Sequence, residues 1–339
     1  MNNKKLFLFF VCCLLLVAVA GKAQTTAYEM NLQGNVSKIM IYKHIANSIV
    51  IENNTVVSYE KGRLLNQVEY FFDKNGLLLA ENRYDNRGVV NISYIYEYDA
   101  AGRLIDKTVA QSGKYLQGRT EYQYNKEGKK IKELSYNDKD SLRTTIVYQY
   151  DSFGNLALEK MYNMSNRLIK EIHYQHDERG NIVFVNSIKV PIIVAQKPYQ
   201  EVMKFNEKNK LIYKSFTEQD TLRWEYFASY NKNDSLIHEE VKDGNGEQQS
   251  YSQLAFNKKN QRISMKQYHQ LTEGLGMETY YQYDKQGKLH SEKVYASNKK
   301  EPLIIRTYFY DDKNNWIYCV EEDKVKNEKI VYYRRVNYY

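Results

Sequence analysis

At intervals of 25 to 29 residues, ten times along this chain, an aromatic residue or His stands directly before Asp or Asn, and three residues later comes Gly, Asn or Asp. The copies are Phe72-Asp73…Gly76, Tyr98-Asp99…Gly102, Tyr124-Asn125…Gly128, Tyr150-Asp151…Gly154 and His176-Asp177…Gly180. They continue with Phe205-Asn206…Asn209, Tyr230-Asn231…Asp234, Phe256-Asn257…Asn260, Tyr283-Asp284…Gly287 and Tyr310-Asp311…Asn314. Successive Asp/Asn residues lie 25 to 29 apart, most often 26. A period of this length marks a repeat architecture, in which each unit buries its apolar face only by pairing with its neighbours.

The residue three places after the Asp/Asn identifies the unit. Gly, Asn and Asp are the residues that tolerate a left-handed backbone. A three-residue hairpin loop, built as a type I turn followed by one left-handed residue, needs such a residue last, and the leading Asp/Asn caps it. The motif is therefore read as a hairpin loop, with Asp73, Gly76, Asp99, Gly102, Asp151, Gly154, Asp177, Gly180, Asp284 and Gly287 as structural turn residues. This geometry sets Tyr98 against Leu104, and by the same arithmetic Phe72 against Leu78, Tyr150 against Leu156, and Tyr310 against Trp316. Turns at the other end follow a looser version, pairing Tyr84 with Val90, Tyr136 with Leu142, Tyr162 with Leu168 and Phe216 with Leu222.

Turn spacings of 12 and 14 are even, so alternation predicts one constant face through many strands. That face carries Tyr94, Tyr96, Tyr98, Tyr148 and Tyr150, with charged interruptions at Asp106, Lys130, Lys132, Lys160 and Lys170. The opposite face carries Arg103, Lys107, Glu133, Arg143, Glu159 and Glu171. The 33 Tyr against 3 Pro suit extended structure, because Tyr favours strands and Pro interrupts them. The expected fold is all-β, a long antiparallel meander of about 26-residue hairpin repeats curling into a twisted or spiral sheet.

The chain divides into a signal peptide (1–23), an N-terminal cap with a first irregular repeat (24–62), a repeat array (63–320) and a C-terminal capping strand (321–339). Lys4 and Lys5 precede an apolar run too short to span a bilayer, and Gly21-Lys22-Ala23 supplies a cleavage site. The protein is thus expected to be exported, to the periplasm, the outer surface or the medium. Processing lowers the net charge from +8 to +5, with signs interspersed, which argues against a nucleic-acid partner. Within the array an apolar insertion near 187–200, around Pro191 and Pro198, breaks the period and is a place to look for local function.

The stretch Tyr98-Asp99-Ala100-Ala101-Gly102-Arg103-Leu104 resembles the YD repeat of bacterial Rhs-type proteins. Tyr150-Asp151-Ser152-Phe153-Gly154-Asn155-Leu156, Tyr283-Asp284-Lys285-Gln286-Gly287-Lys288-Leu289 and Gly62-Arg63-Leu64 are further copies. The resemblance implies repeats that wind β-sheet into a hollow shell, in surface or secreted proteins that often carry a C-terminal toxin. Some such repeats are associated with carbohydrate binding. This chain is short and contains no Asp-Pro dipeptide of the kind that releases a toxin, so delivery of a toxin is not implied.

Chemistry is sparse. His173 and His176 alternate across a strand and cannot share a metal, and no catalytic, phosphate-loop or dinucleotide motif occurs. Each turn offers one carboxylate, and Asn replaces Asp freely, so calcium is not expected. No cofactor, metal or enzymatic activity is expected. The first functional reading is a β-sheet scaffold or interaction surface in the cell envelope, with another envelope or secreted protein as partner. The alternative is a glycan- or peptide-binding module that uses Tyr94, Tyr96 and Tyr148. A third, an outer-membrane barrel, is set aside because lysines on the lipid side would each cost roughly 2–4 kcal/mol near the midplane. The processed chain is accordingly expected not to span a membrane.

Overall fold

The computed structural model describes residues 26, 27, 29–52, 55–112, 114–188, 190, 197–270, 276–297 and 299–339. The signal segment and Pro191 lie outside these. Among the described residues, 22 antiparallel strands form one sheet and each strand pairs with the next in sequence. The wall does not stop at its ends. The last strand, β22 (Glu328–Tyr338), pairs on one side with β21 (Trp316–Asp323) and on the other with β1 (Val36–Glu52). The second pairing runs from Val36↔Tyr338 to Ala46↔Lys329.

The fold is therefore a closed barrel, which corrects the expectation of an open twisted or spiral sheet. The physical reason is edge satisfaction. Two unpaired edges would leave rows of N–H and C=O groups exposed, and joining them removes both. The segments read as caps, within 24–62 and 321–339, supply the two strands that meet. At about 4.8 Å between strands, 22 of them give a perimeter of roughly 105 Å and a diameter of about 34 Å before tilt. The strand pairs in substantial backbone contact are all neighbours in the sheet.

All ten aromatic–Asp/Asn loops have the expected partners, from Phe72↔Leu78 to Tyr310↔Trp316. At the other end Phe216 pairs with Trp224 rather than Leu222, because Gln219 and Asp220 both take positive φ (50° and 58°). Two left-handed residues make a two-residue turn there, which shortens the loop.

The predicted faces need a second correction. Past Tyr98↔Leu104 the next pair is Glu97↔Asp106, so Ile105 is an extra residue that opposes nothing. The same shift follows the turns at Tyr124, Tyr150, Tyr230 and Tyr283. One inserted residue exchanges the faces of everything after it. Lys107 therefore pairs with Tyr96, Glu133 with Tyr122 and Glu159 with Tyr148, on the Tyr face. Asp106, Lys132 and Lys160 lie on the other face, paired with Glu97, Gln123 and Val147.

The Tyr face is the concave one. Ile172, Val185, Met203, Leu211 and Tyr226, from five strands, gather into one buried cluster with Tyr174, Tyr199, Trp224 and Val241. Side chains converge like this only inside a curve. The alternate positions splay outward, leaving Ile95 at 44% and Tyr280 at 43% exposure.

Two additions complete the body. Ala27 and Leu32 pack with Val36, Ile39, Phe72 and Leu78 against Tyr70, Tyr96 and Val336, placing residues 26–35 at the mouth of the lumen on the aromatic–Asp end. The hairpin of β1 with β2 (Thr55–Phe72) is much longer than the rest and continues past its contact with β22. Its Ala46 and Val56, with Ile49 and Tyr59, pack on Phe309, Val320, Val331, Tyr318 and Tyr333. Those five alternate with lumen residues such as Cys319 and Arg334, so the hairpin folds back as an arm over the outer wall.

Candidate functional site

The turns are built by their leading residue. Asp99 Oδ1 accepts the backbone N–H groups of Ala101 at 3.0 Å and Arg103 at 2.9 Å, and Arg103 Nε donates to Oδ2 at 2.6 Å. Gly102 holds φ +74°, a left-handed conformation that Gly adopts without the clash a Cβ would meet. Asp151 and Asp177 repeat the two backbone bonds, and so do Asn137 and Asn206. Acceptance, rather than charge, is what the turn requires. These residues lie on rims of the barrel and converge on no common point.

Charge still leaves a trace. The carboxyls of Asp99 and Asp177 are held below the ordinary 3.8, chiefly by side-chain bonds from Arg103 and Asn181. Those of Asp85 and Asp151 are lowered chiefly by the N–H groups of Val89 and Asn155. A carboxyl depressed in the folded state contributes stability that is present above its unfolded value and lost as pH falls through its folded value. The unfolding midpoint is thus expected to be flat above about pH 5 and to fall below about pH 4. Replacing these four residues with Asn together should make that acid limb shallower in a thermal melt followed by circular dichroism. An equally steep limb in the Asn variant refutes the assignment.

The motif tyrosines carry a feature that alternation does not reveal. Tyr98 Oη donates to Leu78 O at 2.6 Å, Tyr124 Oη to Leu104 O at 2.7 Å and Tyr150 Oη to Lys130 O at 2.7 Å. Tyr230, Tyr283 and Tyr310 do the same to Leu211, Arg262 and Leu289. Each acceptor is the cross-strand partner of the preceding motif aromatic. Each Tyr therefore fastens its hairpin to the one before, which Phe could not do.

Tyr94 and Tyr96 share the lumen face with Tyr148, which lies four strands away, and none of them is a free stacking surface. Arg83 and Lys107 stand over the Tyr94 ring at 5.2 and 5.3 Å, Lys107 also lies 5.8 Å from Tyr96, and Lys130 is 4.4 Å from Tyr148. Tyr148 Oη donates to Glu133 Oε2 at 3.1 Å. Cations occupy the ring faces that a sugar would need. The glycan- or peptide-binding alternative gains no support from this arrangement, and closure of the wall overturns a scaffold that presents an open sheet.

The lumen is a mixed lining of rings and ion pairs. Arg306 bridges Glu321 at 2.6 Å and Glu292 at 3.2 Å, and Lys214 pairs with Glu201 at 3.0 Å. Outside, Arg119 meets Asp106 and Asp140, both at 3.1 Å, and Lys266 meets Glu278 at 3.1 Å. His173 faces outward against Glu171 at 2.7 Å, and His176 lies on the lumen face opposite Ile182. Among the described residues no group of three or more His, Cys, Asp or Glu could hold a metal ion.

Sequence reasoning missed one cluster, at the closing seam. Arg334 of β22 stacks on Trp316, with its guanidinium carbon 3.4 Å from the ring centroid, beside Tyr70, Tyr308, Tyr310 and Cys319. Its nearest sequence signal is only that Arg334 alternates with Tyr332 on an aromatic strand.

The exclusion of a membrane-spanning chain is also overturned. A bilayer admits strands only where every backbone group is paired within the wall, and a hydrogen-bonded ring of strands meets that condition. No helix among the described residues is long and apolar enough to cross a membrane, which says nothing about crossing by strands.

No family model and no curated protein matches this chain. Among solved structures it is similar to TcdB2-TccC3 without its hypervariable C-terminal region, at 14% identity over 80% of this chain, with a TM-score of 0.39. It spans only 15% of that chain. It is also similar to a porin-like protein from Bacteroides uniformis, at 9% identity over 90% of this chain and 99% of the other, with a TM-score of 0.31. A porin-like protein from Bacteroides vulgatus shares 9% identity over 74% of this chain and 98% of its own, with a TM-score of 0.21. Likeness at this level fixes no function.

Proposed function

We propose that this chain is an exported bacterial outer-membrane barrel that works through the space it encloses, as a passage for polar solutes, with no reaction of its own. The observation that carries the reading is the seam, where β22 pairs with β1 from Val36 to Ala46 and joins the two ends of the wall. A lining of Tyr, Glu, Lys and Arg suits a water-filled lumen, since such groups stay hydrated there. The YD-repeat resemblance stays part of the proposal as the source of the wall's turns.

Against the reading stand the outward ion pairs Arg119 with Asp106 and Lys266 with Glu278. At the bilayer midplane each Arg or Lys costs roughly 2–4 kcal/mol. The outer wall, which also carries Lys132 and Lys160, therefore decides the test. The full chain, expressed with its leader in a bacterium with two membranes, is expected in the outer-membrane fraction. It should resist extraction by high salt and alkaline carbonate, and its gel mobility in detergent should change on boiling. Recovery in the aqueous fraction without detergent overturns the proposal.

A further inference from the structure

The structure assigns an oxyanion-binding site to the lumen wall at the closing seam, centred on Arg334. Its guanidinium carbon lies 3.4 Å from the Trp316 ring centroid, so the indole covers one face and leaves the N–H donors of the fork to be satisfied by an acceptor. Among the described residues no ion pair or hydrogen bond engages Arg334, and its Nε is buried without a partner. That is a costly state for a charged donor. The groups beside it include Tyr70, Tyr308, Tyr310 and Cys319. The lumen acids close by in the sheet are already committed. Glu321 and Glu292 both serve Arg306, and Glu81 serves Arg83 at 2.6 Å.

Arg306, Lys214 and Lys130 each hold a protein carboxylate within 3.2 Å. Arg334 lies against rings instead, as Lys107 and Arg262 do, but among these its Nε is the one buried without an acceptor among the described residues. A planar fork of donors on an aromatic shelf fits a carboxylate or a phosphate, both of which accept two parallel N–H bonds. The site needs only the closed wall and stands whichever compartment holds the barrel.

Trp316 reports on it directly. The chain has two Trp, so the Trp224→Phe variant leaves Trp316 as the sole emitter, in contact with the group that would take the anion. Titration of the full-length protein with inorganic phosphate, and separately with acetate, at fixed ionic strength set by chloride, is expected to change Trp316 emission saturably. Saturation by both probes identifies a general oxyanion site, and by one alone assigns it to that class. Arg334→Gln should weaken binding at least tenfold, with an unchanged circular dichroism spectrum. Arg334→Lys keeps the charge without the fork and should weaken it less, which serves if the Gln variant does not fold. A signal that fails to saturate with either anion, or that persists unchanged in both variants, overturns the assignment.

Discussion

Removing residues 328–339 is expected to abolish the barrel and leave an aggregating open sheet. These residues form the one strand bonded on both sides of the seam, to Tyr318–Asp323 and to Val36–Ala46. Without it both flanking strands become long edges, and β1 brings an apolar row with Ile39 and Ile41. Val331 is fully buried beneath the arm, at 0% exposure, so its loss also frees Ala46, Val56 and Tyr59. Size-exclusion chromatography, in the solvent that keeps the intact chain dispersed, should show the truncated protein in the void volume. The point version is Val331→Asp, which buries an unpaired carboxylate and should cost at least about 3 kcal/mol. A truncated chain that elutes and melts like the intact one would falsify closure by β22.

The second large effect is expected at Gly244. It follows β15 (Leu236–Asp243), where a Cβ would lie 2.0 Å from the Leu222 carbonyl oxygen and 2.9 Å from its carbon. Both are backbone atoms, so no rotamer relieves the clash and the strand must move. Gly244→Ala is expected to cost about 3 kcal/mol, the upper range for forced overpacking. Gly246 is the control two residues away. It holds φ +85° but a Cβ there meets nothing within 4 Å, so Gly246→Ala should cost about 1 kcal/mol through the backbone alone. Denaturant midpoints of the two variants separate the cases, and equal losses would show that the close approach to Leu222 is not maintained.

The local grammar of this protein was legible and its global closure was not. Asp99 and Gly102 announce their turn because the left-handed backbone and the Asx bonds are decided within five residues. The pairing of Tyr98 with Leu104 follows from that turn. The bulge at Ile105 does not, because an extra residue leaves the turn spacing even while it exchanges the faces beyond it. Lys107, Glu133 and Glu159 were therefore assigned to the wrong side. Closure pairs His44 with Val331, nearly three hundred residues apart, and no period encodes such a contact. The arm was hidden for the same reason, since Val56 and Tyr59 meet Val320 and Tyr318 only after the ring has formed. The seam cluster around Arg334 required both pieces of knowledge. Its placement depends on the closing register, and its lack of a carboxylate partner depends on which acids the bulges send inward.

The tyrosine links from Tyr98 to Leu78, Tyr124 to Leu104 and Tyr150 to Lys130 have a consequence for how such proteins diversify. Every link refers only to the unit immediately before it, and none measures the distance around the ring. Duplicating one hairpin of about 26 residues brings its own link and its own turn, and asks nothing of the remaining units. Circumference is then a matter of copy number, with the first and last strands carrying the whole burden of recognising each other. A lineage built in this way can widen or narrow its bore in steps of two strands, by recombination between repeats, without inventing a new contact.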